Sequence, residues 1–142
     1  MPFEMDRIGR EHAQSLVVRA IGIASADYGD RPICVSICDA DGFLIAFARA
    51  DGAPVRGIEI AQGKAYSAAR MGVSTSEFLA RIHRENIAPA YFCDPRLTAL
   101  PGGAVIRCNR RPIGAIGISG LTSKEDQAIA DLLAEEAAPD RS

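Results

Sequence analysis

No run of apolar residues in this 142-residue sequence approaches the roughly 18 that a membrane span needs. The opening MPFEMDRIGREH is charged and lacks the apolar h-region of a secretory signal. There is no basic excess either. Sixteen Lys and Arg stand against eighteen Asp and Glu, a formal charge of −2, so the charge footprint of a nucleic-acid binder is missing. Of the four cysteines, Cys34, Cys38, Cys93 and Cys108, none forms a C-x-x-C pair, which argues against a zinc site. Cys34 and Cys38 fall in a β-prone run, where four residues span about 13 Å, beyond the roughly 7 Å reach of a disulfide. All four read as small buried apolar residues. Repeats, low-complexity tracts and linkers are also lacking. The expectation is one cytoplasmic domain over residues 1–142, with neither membrane nor nucleic acid as partner.

What is present is a clear alternation of periods. Residues 5–28 carry Ile8, His12, Leu16, Ala20 and Ile23 at helical spacing, and Gly29 with Pro32 ends the segment. ICVSIC (33–38) and FLIAFAR (43–49) flank Asp41-Gly42 as a hairpin. Residues 58–72 read as a helix whose Ala61, Ala65, Ala68 and Ala69 form a stripe of small side chains. STSE (74–77) is a capping box for a short helix to about Glu85. IAPAYFCDPRLTALPGG (87–103) has no period, although a short strand at 96–101 is expected within it. A second hairpin, 104–108 and 111–119, turns at Asn109-Arg110, and TSKE (122–125) caps a helix to about Ala138. The order α-β-β-α-α-β-β-α predicts an α+β fold with an antiparallel sheet.

Several motifs invite chemistry. GAIGISG (114–120) lacks the G-x-G-x-x-G and Walker spacings of phosphate loops. Its alternation predicts a strand with Ile113, Ala115, Gly117 and Ser119 on one face, flat enough for a helix or ligand to lie close. DADG (39–42) is turn chemistry rather than a calcium loop. Arg107, Arg110 and Arg111 share a hairpin tip, as a solvated cluster or an anion clamp. Lys64 sits among small residues, either reaching solvent or aimed at an anionic group. His83, Glu85 and Tyr91 border the long loop as candidate acid–base groups. His12, on the first helix stripe, is either a helix histidine or an iron ligand.

VSICDADGFLIAFARADGAP (35–54), IEIAQGKAYSAA (58–69), ALPGGAVI (99–106), PIGAIGISG (112–120) and TSKEDQAIA (122–130) together resemble the GlcG/HbpS family of heme-binding-type proteins. A related domain closes PduO-type corrinoid adenosyltransferases. The resemblance implies a profilin-like fold, homo-oligomers, and heme or a related tetrapyrrole as ligand. One branch implies instead a cofactor-free lyase on a small aromatic or organic acid; for that alternative the catalytic candidates, read from the residues themselves, are Lys64, His83, Glu85 and Tyr91. Carried over by motif, the ligand-binding residues are Arg49, Lys64, Pro101, Gly102 and Gly103, with His12 as iron ligand; Gly117 joins them from the flat strand face.

Overall fold

The computed structural model describes residues 7–137. The chain runs α1 (Arg10–Asp27), β1 (Cys34–Asp39), β2 (Leu44–Arg49), α2 (Gly57–Met71), α3 (Thr75–Glu85), β3 (Gly103–Cys108), β4 (Arg111–Ser119) and α4 (Ser123–Ala137). A short 3-10 turn, Pro89–Phe92, follows α3. The expected α+β order is observed. The four strands form one antiparallel sheet in the order β2-β1-β4-β3. The two hairpins therefore meet through β1 and β4, which are buried on both faces.

One face carries the larger core. Leu16, Ala20 and Ile23 of α1 and Ile129 and Leu133 of α4 pack with Ile37, Ile116 and Ile118. The other face is nearly flat, and α2 closes on it through small side chains. Ala65, Ala68 and Ala69 meet Cys38 and Ala115, and Ala61 meets Cys34. GAIGISG is the strand its alternation predicts, and the helix bearing Lys64 is the close neighbour; Ile113, expected on the same face as Ala115, packs instead in the larger core, where the register shifts against β3. A Cβ added to Gly117 would collide with the Ala61 carbonyl and lie 2.6 Å from the Ala65 nitrogen.

Local chemistry sets the ends. The Asp39 carboxylate accepts from the amides of Asp41 (2.9 Å) and Phe43 (3.0 Å), which closes the first hairpin. Asn109 and Arg110 take φ of 53° and 68°, the pair of left-handed residues that a two-residue hairpin turn requires. Ser74 Oγ accepts from the Glu77 amide at 3.1 Å. Thr122 and Glu125 complete a reciprocal box, each side chain accepting from the other's amide at 3.1 Å.

Three expectations are corrected. The first helix begins at Arg10, because Ile8 donates its N–H to Ile113 O (3.0 Å) and runs beside β4. Met5 and Asp6 lie outside the described residues. Residues 96–101 form no strand: the Thr98 amide donates to Ser67 Oγ (2.8 Å) instead of to a neighbouring backbone. Cys93 is exposed, while the other three thiols are buried. No helix among the described residues is long and apolar enough to cross a membrane.

Candidate functional site

Two opposite charges sit where helical spacing puts side chains into the interior. Lys64 continues the alanine stripe of α2, and Asp126 continues the Ile129-Ala130-Leu133 stripe of α4. Lys64 is 1% exposed and Asp126 3%. Nζ of Lys64 donates to Asp126 Oδ2 at 3.0 Å and to Ile118 O at 2.7 Å. The lysine thus does not reach out to solvent, and its charge is met by Asp126. It joins the helix on one face of the sheet to a helix on the other.

The Pro101-Gly102-Gly103 loop shapes the passage. Gly102 has φ +132°, and a Cβ there would lie 2.7 Å from Lys64 Nζ and 2.6 Å from Ile118 O. Only glycine combines that backbone with that proximity. The loop is held by two buried side chains. Gln127 Oε1 accepts from the Gly102 amide (2.6 Å), and its Nε2 donates to Gly103 O (2.9 Å) and Asp131 Oδ1 (2.8 Å). Thr75 Oγ1 accepts from the Gly103 amide (2.9 Å). Asp126 Oδ1 accepts from the Leu121 amide (3.1 Å). Every buried side-chain polar atom among the described residues has a partner, as a polar network inside a protein requires. Burial pushes the Lys64 ammonium down from its ordinary pKa and pushes the Asp126 carboxyl up, while each partner's charge opposes the other's shift.

A cavity of about 170 Å³ opens beside this pair, lined among others by Arg56, Cys34, Ser119 and Leu100. Ser119 Oγ donates to Gly57 O at 2.9 Å. Burial raises the Cys34 thiol, opposed by its hydrogen bond with Ser119 and by the charge of Arg49. Arg49 stands opposite Cys34 in the β1–β2 register and is exposed.

The remaining candidates lie elsewhere. His83, Glu85 and Tyr91 are exposed, and Glu85 pairs with Arg81 at 3.0 Å. None of the three lines the cavity that Lys64 lines. His12 is half-buried on α1, seven residues and hence about two turns before Arg19 on the same side. Arg19 bridges to Glu136 of α4 at 3.2 Å, so His12 belongs to the α4-facing flank of α1. Arg107 is not available as a clamp, since it donates to Gly72 O at 2.7 Å and to Arg110 O at 3.3 Å. The long loop is tied to α2 by Tyr66, whose hydroxyl donates to Asp94 at 2.6 Å under the Arg96 guanidinium.

The sequence reading passed over a second concavity. A shallow groove of about 590 Å³ between α1 and β2 is lined by Gln14, Val17, Val18, Ile45, Ala46 and Phe47. Val18 is 72% exposed, and the adjoining Phe43 and Leu44 are 60% and 53% exposed. Also missed were Asp126, Gln127 and Thr75. Asp126 had a signal, namely an acid on an apolar stripe, which demands a buried cation opposite.

The chain is similar to several solved structures. A crystal structure of HbpS is 26% identical over 95% of this chain and 93% of that one, with a TM-score of 0.82. The PduOC–heme complex is 27% identical over 92% and 94%, with a TM-score of 0.76. The Klebsiella pneumoniae protein ORFY, 24% identical over 96% and 93% with a TM-score of 0.81, shares the fold. None of the curated protein sequences compared with the chain matches it. The family model described as haem degrading protein HbpS-like matches residues 8–134. With the fold, the alanine helix and the glycine loop all lying inside that span, the chain belongs to the HbpS-like family.

Proposed function

We propose that this chain binds heme or a related tetrapyrrole, seated on the open, uncharged groove between α1 and β2. The groove carries the reading. Its volume of about 590 Å³ falls in the range of about 300–1,000 Å³ typical of cofactor sites. Its lining holds no charged side chain, and Val18, Phe43 and Leu44 in and beside it are large apolar side chains left exposed. Membership in the HbpS-like family and the likeness to a protein solved with heme support the same reading. When bound, heme supplies a redox-active iron; the chain supplies an uncharged seat for the macrocycle.

The groove residues fit the macrocycle, but they include no imidazole. Successive helix residues turn by about 100°, which sets His12 about 200° from Gln14. The seat and the iron ligand are therefore separate claims, each with its own variant. Hemin titrated into the protein is expected to give a saturable Soret band. Val18→Asp, a change at an exposed position, is expected to weaken binding at least ten-fold, and wild-type affinity in that variant would remove the groove from the proposal. With heme in this groove His12 faces away from the iron, so His12→Ala is expected to leave the band unchanged; a shifted band would favour His12 as the ligand and a seat elsewhere than the groove. Association of copies, implied by the family resemblance, is part of the proposal and is read by light scattering on the same samples.

A further inference from the structure

The cleft beside Lys64 and Asp126 shares no residue with the α1–β2 groove. We propose that it binds a small monocarboxylate, whose charge meets Arg56 while its hydrocarbon body lies against Pro54, Ile60 and Leu100. Size argues first. About 170 Å³ is below the volume of drug-sized sites, so the cleft admits a molecule of a few carbons and excludes a macrocycle.

Charge argues next. Arg56 is exposed at the N-cap of α2, and its guanidinium has no partner among the described residues. A guanidinium fork matches a carboxylate in two parallel hydrogen bonds. The first turn of α4 opens on the same cleft at Ser123, adding the positive end of a fifteen-residue helix. The other two charges in the lining, Lys64 and Asp126, neutralise each other at 3.0 Å. The site therefore suits a monoanion. A phosphate dianion would bring a second negative charge toward Asp126, and it has no apolar body to cover Pro54, Ile60 and Leu100. A buried ion pair is a costly way to build a cleft wall.

The proposal stands apart from tetrapyrrole binding, so it is tested on the full chain without hemin. Sodium butyrate is titrated by calorimetry, alongside neutral butanamide and inorganic phosphate. Butyrate is expected to bind in a saturable manner, with butanamide and phosphate at least ten-fold weaker. Arg56→Ala truncates an exposed side chain that makes no cap bond, so the fold is retained. It is expected to weaken butyrate at least ten-fold, with Arg56→Lys recovering part of the loss. No butyrate binding, equal binding of butanamide or phosphate, or an Arg56→Ala affinity within two-fold of wild type would each overturn the proposal.

Discussion

Gly117 has no side chain because α2 occupies the space where one would stand. The obstruction is helix backbone, the Ala61 carbonyl and Ala65 nitrogen, which cannot swing aside as a side-chain tip can. Overpacking of a well-filled interior costs about 1–3 kcal/mol, and more where nothing yields. Gly117→Val is thus expected to lower stability by about 3 kcal/mol or more, read as a fall in urea midpoint at constant slope. Gly22, on the exposed side of α1, has nothing within 4 Å of its missing Cβ. Gly22→Ala is the control and is expected to stabilise by up to about 1 kcal/mol. A neutral Gly117→Val would mean that the helix sits further off. The need for a small residue at 117 was readable from strand alternation, since flatness is a property of the strand's own sequence. The reason Gly102 must be glycine was not, because it depends on a lysine 38 residues away in the chain passing beside it.

At the scale of elements, the Lys64–Asp126 pair bolts α2 to α4 across the end of the sheet. Both groups are shifted by burial toward their neutral forms, so the pair is held against its own desolvation. Removing one partner leaves a lone buried charge, which typically costs about 3–5 kcal/mol, whereas replacing both with apolar residues is often neutral or stabilising. Lys64→Met and Asp126→Leu are each expected to lose stability in that range. The double variant is expected to be less destabilised than the sum of the two single variants by thermal unfolding, though short of wild type because Ile118 O and the Leu121 amide lose their partners. Additive losses would show that the two residues act independently. Each residue's burial had a signal in its position on a stripe of apolar or small residues, although the reading left Lys64 free to reach solvent and passed over Asp126. Their pairing had none, because nothing in sequence order says that the tip of one helix stripe meets another from the far side of a sheet. The helices and hairpins themselves were legible because caps, turn residues and period agree at each. The error at 96–101 arose where that agreement is lacking: the segment has no period, and Ser67 and Asp94 hold it in place of a strand partner.

The whole molecule presents two unlike concavities. One, between α1 and β2, is open and has no charged side chain in its lining. The other, between the start of α2 and the start of α4, is small and charged. Motif resemblance in the sequence pointed to the family and to the residues around the second, since glycines and a buried lysine leave a local pattern. It gave no sign of the first, because Val18 lies off the buried stripe of α1 and a groove needs two elements to exist. Assigning the tetrapyrrole to the groove is the central claim, and hydrogen–deuterium exchange with and without one equivalent of hemin tests it most directly. β2 is an edge strand, so its outer amides lack a ladder partner and are sensitive to cover. The account predicts that hemin slows exchange in Leu44–Arg49 and along α1, while the Pro101–Gly103 loop and the start of α4 are unchanged. Protection confined to that loop and to α2, with β2 exchanging as before, would contradict it.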